Sequence, residues 1–431
     1  MPGFISTPKV LVPKRPLAGR LGRFLSSGLV APAFSLCSLG GALAEQPVFD
    51  SLVLLEPPTS GIAQEPYLDV SGTSLLMSWM VPTASEILVQ FARLDDVGWS
   101  NPVTVGRGED LFVNWADFPT VAAFGDGNIA LHWLRRASRS GYGYHVELSL
   151  SNDIGRSWSD PIIPYSDRSD QQHGFVTMSG NADGALELLW LDARGYGQTG
   201  LLARADNMQL RATRIDADGR LESDRPVDSK TCSCCQTSSA RLGDGSLVVA
   251  YRDRTDAEIR DISIVRLLDG AWTDPVNVHP DGWEISGCPV NGPAVAAQGE
   301  RVAVAWFTAA DDVAAVKLAF SDDAGTGFAT PARIDLGDPL GRVDTLFLED
   351  GSVLVTWLEW QGDDEVLLAC RALESRGCVT RQVLARNSSD ASMNFPRMAR
   401  IGQDVYFALT TPINARQSTV TVMRGQLGPL E

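Results

Sequence analysis

Residues 125–158 read GDGNIALHWLRRASRSGYGYHVELSLSNDIGRSW. The Gly-Asp-Gly at 125–127 is typical of a tight turn, and the apolar run after it has the length of a strand and ends at Trp133. A second run of strand length follows at 145–151. This stretch therefore predicts two antiparallel strands, and no amphipathic helical pattern interrupts them.

The same pattern recurs along the chain every 51 to 61 residues, counted between the last residues of the apolar runs. Those last residues are Trp79, Trp133, Trp190, Tyr251, Trp306, Trp357 and, in a weaker copy, Leu409. A third strand follows each run, and short fourth strands are predicted near residues 102, 161, 275 and 331. Four antiparallel strands per repeat indicate an all-β chain folded as a β-propeller. Stacked β-sandwiches would repeat nearer every ~100 residues.

The turn after the third strand carries the most specific motif. Residues 151–158 match the pattern S-x-D-x-G-x-x-W, and residues 321–328 match it with Phe in the last position. An Asp can accept backbone N–H groups in such a turn, while Gly supplies a positive φ and the aromatic ring packs between sheets. We therefore interpret these Asp residues as part of a folding device and exclude them from catalysis.

On these motifs the chain, from about residue 46 onward, resembles the Asp-box (bacterial neuraminidase repeat) propellers, whose best-known members are sialidases. Sialidases have six blades, whereas seven repeats are counted here, so we predict seven and keep six as the alternative. The last repeat ends after its third strand, at 419–425. Residues 47–55 are expected to supply its outer strand and close the ring, which removes exposed sheet edges.

The net charge of the 431 residues is −17, which disfavours nucleic acid or an anionic membrane as a partner. Residues 1–44 differ, because they contain five basic residues and no acid, followed by an apolar stretch that ends in Ala-Leu-Ala at 42–44. This pattern predicts a signal peptide over 1–44 and a single propeller over 45–431, either periplasmic or secreted. No later segment is long and apolar enough to span a membrane.

Two dense polar segments fall in the fourth repeat, in loops expected at one end of the central channel. One is the cysteine-rich run at 231–237, and the other is the charged run at 252–261. The resemblance implies a site in which three arginines clamp a substrate carboxylate, an Asp acts as acid or base, and a Glu-activated Tyr attacks. Arginine suits this role because it pairs with carboxylates in a bidentate manner.

The leading hypothesis is accordingly a carbohydrate-directed site for a sialoside or another anionic glycan, with hydrolysis unproven and no cofactor required. Its candidate residues are Arg252, Arg342, Arg397, Asp117 and Asn291 for substrate binding, and Asp253, Glu258 and Asp261 for catalysis. The segment comparable to the family's Arg-Ile-Pro is Asp-Phe-Pro at 117–119, and no tyrosine is assigned as nucleophile. The chain therefore departs from the family at two essential points.

Two alternatives remain open. One is a thiol-based metal or redox site for copper or zinc, with Cys232, Cys234, Cys235, Cys288 and His173 as candidate ligands. Against this alternative, Cys232, Cys234 or Cys235 can instead form a disulfide with Cys288. Cys370 and Cys378 flank a predicted turn and are expected to form a second, local disulfide. The other alternative is a non-catalytic propeller that binds a glycan or a protein.

Overall fold

The computed structural model describes residues 47–430, except residues 60, 140, 196–207 and 217. Within these residues the chain is almost entirely β-structure, and the one helical turn is a 3-10 helix at Ala310–Asp312. The predicted signal peptide lies outside the described residues. No described helix has the length and apolarity needed to cross a membrane.

In the part of the chain that the structure describes, 29 strands form seven antiparallel sheets, the blades of a propeller. The first strand, β1 (Phe49–Leu55), belongs to the last blade. Blade 1 consists of β2 (Gln64–Ser71), β3 (Ser74–Pro82), β4 (Ile87–Asp95), β5 (Gly98–Trp99) and β6 (Val103–Gly108). Blade 2 consists of β7 (Val121–Phe124), β8 (Asn128–Arg136) and β9 (Tyr144–Ser151). Blade 3 consists of β10 (His173–Gly180), β11 (Leu186–Asp192), β12 (Gln209–Ile215) and β13 (Arg225–Asp228).

The remaining blades follow the same order from the inner strand outward. Blade 4 consists of β14 (Ser238–Arg241), β15 (Leu247–Arg252), β16 (Ile262–Leu268), β17 (Ala271–Trp272) and β18 (Val276–Asn277). Blade 5 consists of β19 (Ala294–Gln298), β20 (Arg301–Thr308), β21 (Ala315–Ser321) and β22 (Ala332–Arg333). Blade 6 consists of β23 (Pro339–Phe347), β24 (Val353–Gln361), β25 (Asp364–Leu373) and β26 (Gly377–Asn387). Blade 7 consists of β27 (Arg397–Ile401), β28 (Asp404–Asn414), β29 (Gln417–Leu427) and β1.

The repeated aromatic residues lie in the second strand of each blade and are buried between neighbouring sheets. The indoles of Trp133, Trp190 and Trp357 donate hydrogen bonds of 2.6, 2.7 and 2.8 Å to Glu147, Asp192 and Glu359. An unpaired N–H would be costly at these positions, because the rings are at most 1% exposed. In these three blades an acid thus accepts the indole N–H of the buried ring, whereas the N–H of Trp79 has no hydrogen-bond partner among the described residues.

The ring closes as the sequence predicts, with seven blades rather than six. Strand β1 pairs antiparallel with β29, and the Phe49 ring packs edge-on against Phe407 with 5.4 Å between centroids. A Cβ added to Gly425 would lie 2.6 Å from the Phe49 ring, so glycine is required for this close approach. The first, second and third strands of blade 7 thus come from the C-terminal part of the chain, and the outer strand comes from its N-terminal side.

The two predicted turns have the expected construction. In the first, the Asp153 carboxylate accepts the backbone N–H groups of Arg156 and Ser157, and Gly155 has a φ of 78°. The Trp158 ring packs on Phe91 at 5.3 Å. In the second, Asp323 accepts the N–H of Gly327. Both carboxylates therefore bind the backbone of their own turn.

Candidate functional site

The inner strands enclose a polar cavity of about 310 Å³ along the axis of the ring. Strands β2, β7, β10 and β14 supply most of its wall, and residues from blades 6 and 7 complete it. Charged side chains at this wall include Asp69, Asp117, Asp344 and Arg397. Because it is concave, shielded and lined by convergent polar groups, the cavity is the candidate ligand site.

Four aromatic rings, which we call the aromatic cluster, gather beside this cavity. They are Tyr67, Trp115, Phe118 and Phe395. Phe395 lies 5.8 Å from Trp115 and 5.7 Å from Phe118, measured between ring centroids, and Tyr67 lies 6.1 Å from Phe118. Trp115 and Phe118 come from the loop that enters β7, and Phe395 comes from the loop that enters β27. Loops that are far apart in the sequence therefore meet at one end of the channel.

Two of the three predicted clamp arginines lie on this cluster. The Arg342 guanidinium is 4.4 Å from the Trp115 ring centroid and 4.9 Å from that of Phe395. The Arg397 guanidinium is 4.9 Å from the Phe118 centroid. Among the described residues, the buried Nε atom of neither arginine has a hydrogen-bond partner. The two cations thus share one aromatic platform and retain free donor capacity.

The third arginine is placed differently. Arg252 is 2% exposed, and its guanidinium donates to the backbone carbonyls of Asn291, Arg260 and Phe307 at 2.9, 2.6 and 2.7 Å. It also lies over the Trp283 ring and does not line the cavity. Arg252 therefore holds blade 4 to the segments beside it, and it does not join Arg342 and Arg397 on the aromatic cluster, which disagrees with its predicted role in a substrate clamp.

Asn291 and Asp117 have distinct placements. The Asn291 side chain accepts the backbone N–H of Arg342 at 2.9 Å, while its amide donates to the carbonyl of Leu340. Asn291 thereby holds the strained Arg342 backbone, whose φ is 58°. Asp117 lines the cavity, and its carboxylate accepts the N–H of Phe175 at 2.8 Å.

Buried acids around the cavity have raised pKa values. Burial raises the pKa of Asp117 to about 7, although the hydrogen bonds from Phe175 and Tyr144 oppose the shift. Burial likewise raises the pKa of Asp69 to about 6 and that of Glu65 to about 8. A carboxyl group that keeps its proton near neutral pH can act as a general acid.

The sequence pattern did not single out Glu65, Asp69 or Tyr67. All three belong to β2, whose sequence is QEPYLDVS. Acidic residues within a predicted inner strand were the feature of the sequence that could have identified them as site residues. Burial also raises the pKa of the Tyr67 hydroxyl, to about 12. A tyrosine with a raised pKa is a poor candidate for an ionised nucleophile.

The three predicted catalytic acids do not reach the cavity. Asp261 accepts the backbone N–H groups of Gly282 and Trp283, and Asp253 accepts the hydroxyl of Ser263. Hydrogen bonds from Arg254 and Arg260 lower the pKa of Glu258 to about 2. None of the three lines the cavity, because each organises the loop between β15 and β16 instead.

Four of the cysteines form disulfides. Cys234 pairs with Cys288, which joins the loops that enter blades 4 and 5, and Cys370 pairs with Cys378 across the β25–β26 hairpin. Both pairings agree with the disulfides considered from the sequence. Since Cys234 and Cys288 are bonded to each other, neither offers a thiolate, and the predicted four-thiolate metal site is not present.

Cys232 and Cys235 remain as buried free thiols, and their Sγ atoms are 2.9 Å apart. The two residues have a C-x-x-C spacing, a signal that the sequence interpretation overlooked. Burial opposes ionisation of Cys232, but the hydrogen bond from Cys235 and the charge of Arg252 outweigh it and lower its pKa. The pKa of Cys235 is raised by its burial and by Cys232.

His173 does not join the sulfur atoms as a metal ligand. Its Nε2 lies 2.9 Å from Asp167, and its Nδ1 faces the backbone carbonyls of Tyr144 and Gln171. Within the described part of the chain, the group of side chains close enough to share a metal ion contains only Cys232, Cys234 and Cys235. The predicted inclusion of His173 is therefore wrong on geometry.

No protein-family model and no curated protein matches the chain. Among solved structures, a polysaccharide lyase described as ulvan lyase, bound to GlcA(1-4)Rha3S, is similar with a TM-score of 0.57 and 11% identity. The alignment covers 87% of this chain and 96% of the lyase. A protein of unknown function from Dyadobacter fermentans DSM 18053 is similar with a TM-score of 0.51 and 15% identity, over 74% of this chain and 97% of that one. At these identities the likenesses establish the propeller fold alone.

Proposed function

We propose that this protein binds an acidic carbohydrate at the end of its central channel, where Arg342 and Arg397 pair with a carboxylate or sulfate group. The observation that carries the proposal is a pair of half-buried arginines on one aromatic cluster, each with a buried Nε that has no hydrogen-bond partner among the described residues, with Arg397 also lining the polar cavity. Buried cationic donors without partners are costly, and an anionic ligand would satisfy them.

The chemistry of the cluster suits a sugar better than a free inorganic anion. Aromatic rings offer apolar faces to the C–H surfaces of a pyranose, while the guanidinium groups select its acidic substituent. The ulvan lyase with a similar fold was solved with a saccharide that contains glucuronic acid. A uronate or a sialoside is therefore the ligand class that we propose, and the resemblance to sialidases points the same way.

Asp117 is the residue that we propose as a proton donor if the bound glycan is cleaved. It lines the cavity, and its raised pKa of about 7 keeps a large fraction protonated near neutral pH. The Tyr67 hydroxyl also lines the cavity, but its high pKa disfavours attack by a tyrosinate. We accordingly propose binding as the primary activity and general-acid cleavage as the reaction to be tested.

The proposed setting is the periplasm or the exterior of the cell. The basic leader predicted over residues 1–44 supports export, and two disulfides are typical of proteins in oxidising compartments. An acidic polysaccharide outside the cell would be accessible there. The net charge of −17 leaves Arg342 and Arg397 as local exceptions that select where such a ligand binds.

Calorimetric titration of the purified protein tests the binding proposal. The ligands are an oligoglucuronate, a sialylated trisaccharide and the carboxyl-reduced, neutral form of each. We expect one acidic ligand to bind and its neutral form to fail, with Arg397→Ala weakening affinity by about 10- to 100-fold, since hydrogen bonds to charged groups contribute ~1.5–3 kcal/mol. Arg220→Ala, on an exposed turn, is the matched control. Equal affinity for acidic and neutral ligands would refute the proposal.

Turnover is measured separately, with a fluorogenic sialoside and by the ultraviolet absorbance of unsaturated uronate products. Cleavage that is lost in Asp117→Asn while ligand affinity stays within about 3-fold assigns the proton transfer to Asp117. Binding without cleavage of any acidic ligand identifies a non-catalytic propeller. Cleavage that survives in Asp117→Asn would contradict the assignment of this residue.

A further inference from the structure

Three sulfur atoms lie together beneath the loop that joins β15 to β16. The Cys232 Sγ is 2.9 Å from that of Cys235 and 3.8 Å from that of Cys234. Cys234 is already bonded to Cys288, so two thiols are left, and they are 0% and 2% exposed. A pair of adjacent buried thiols can serve as a bidentate ligand, and the proposed glycan site does not use it.

The donor set is entirely sulfur. No described His, Asp or Glu side chain joins these cysteines within the distance that a shared ion would require. Soft thiolate ligands select soft ions such as copper(I) over calcium or magnesium. A structural zinc ion takes four protein ligands, whereas only two thiols are available here. The ligand count therefore favours a monovalent soft ion over zinc.

The charge around the thiols agrees with this choice. The Arg260 guanidinium lies 3.5 Å from the Cys232 Sγ, and it also pairs with Glu258 at 2.9 Å. A divalent ion held by two thiolates forms a neutral complex, which would not compensate the charge of this guanidinium group. A monovalent ion held by two thiolates has a net charge of −1, and Arg260 is positioned to compensate that charge.

We propose that Cys232 and Cys235 bind one copper(I) ion as a dithiolate. Two S–H bonds lose their protons to solvent as two sulfur–copper bonds form, so the metal keeps its oxidation state. Since a metal–sulfur bond is about 2.3 Å long, the two Sγ atoms lie farther apart in the complex than 2.9 Å. The proposal requires rotation about the two Cα–Cβ bonds to provide this separation.

The test is an anaerobic titration of the purified protein with copper(I), in competition with a chromogenic copper(I) chelator. We expect one equivalent to bind, and both Cys232→Ser and Cys235→Ser to abolish stoichiometric binding. Arg260→Gln should weaken affinity by about 10-fold, as expected for a partner beyond the ligands. The double variant Cys370→Ser/Cys378→Ser is the control and should bind normally. Failure of the wild-type protein to bind, or binding that survives in both single variants, overturns the proposal.

A second measurement needs no variant, which matters if a cysteine substitution prevents folding. X-ray absorption of the copper-loaded wild-type protein should show sulfur neighbours alone around the metal. A nitrogen or oxygen neighbour would contradict the assignment. Thiol counting under denaturing conditions before loading should find both cysteines reduced, and a Cys232–Cys235 disulfide in the purified protein would equally overturn it.

Discussion

The Arg252 guanidinium shows how one residue type serves two different purposes in this molecule. Its three donors reach backbone carbonyls of three separate segments, whereas Arg342 and Arg397 lie on aromatic rings beside the cavity. From the sequence all three look alike, since each stands near the end of an inner or second strand. Only the long-range partners distinguish a structural arginine from one that is available to a ligand.

Replacing Arg252 with methionine should strongly destabilise the fold. Methionine has a similar length but leaves three buried carbonyls without donors, and each hydrogen bond to a charged group contributes about 1.5–3 kcal/mol. We expect urea unfolding to show a loss of at least about 3 kcal/mol. The exposed Arg220→Met should change stability by less than about 0.5 kcal/mol. A loss below about 1 kcal/mol for Arg252→Met would show that these contacts contribute little.

Asp117 predicts a pH dependence of stability. Its pKa is about 7 in the folded chain and ~3.9 when unfolded, so between these values the native state holds a proton that the unfolded state lacks. Stability therefore falls as pH rises through this window. The raised pKa values of Asp69 and Glu65 act in the same direction.

The variant Asp117→Asn should reduce the loss of stability that accompanies rising pH, because the amide that replaces the carboxyl group stays neutral at every pH. Thermal unfolding at pH 5 and pH 8 measures it, and we expect the stability of the variant relative to the wild type to be greater at pH 8 than at pH 5. Asp126→Asn, on an exposed turn, is the control and should leave the pH profile unchanged. An Asp117→Asn profile as steep as that of the wild type would contradict the raised pKa.

At the scale of the elements, the sequence predicted the strands well because they are repeated and locally encoded. The second strands, the Gly-Asp turns and the two S-x-D-x-G turns all lie where the pattern places them. The predicted fourth strands are present as β6, as β18, as β22 and as a bridge at Ile162. Periodicity and turn chemistry are properties of short segments, which a sequence displays directly.

Strand β1 provides an element-scale prediction about ring closure. Phe49 is 2% exposed against Phe407, whereas Leu54 on the same strand is 72% exposed. Phe49→Ala should lower the free energy of unfolding by about 3–5 kcal/mol, because it leaves a cavity in the closing blade. Leu54→Ala should change it by less than about 0.5 kcal/mol. Similar effects of the two substitutions in chemical denaturation would show that β1 does not close the ring.

The site was harder to predict because it belongs to the whole ring. The aromatic cluster draws on the segments before β7 and β27 and on β2, which are far apart in the sequence. The sequence did select Arg342, Arg397 and Asp117 through their expected position in loops and strand starts. It favoured the dense charged run at 252–261, whose acids instead bind neighbouring backbone groups and arginines. A segment with many charged residues therefore does not identify which charged side chains meet at one site in the folded protein.

At the scale of the molecule, seven blades place Arg397 at the wall of an axial cavity and Arg342, from the adjacent sheet, on the same aromatic cluster, within a protein of net acidic charge. The most direct test is a crystal structure of the protein soaked with the acidic oligosaccharide that binds in solution. We predict density for the sugar on the aromatic cluster, with its carboxylate or sulfate within hydrogen-bond distance of the Arg397 and Arg342 guanidinium groups. A sugar bound elsewhere, or one whose acidic group points away from both arginines, would contradict the account.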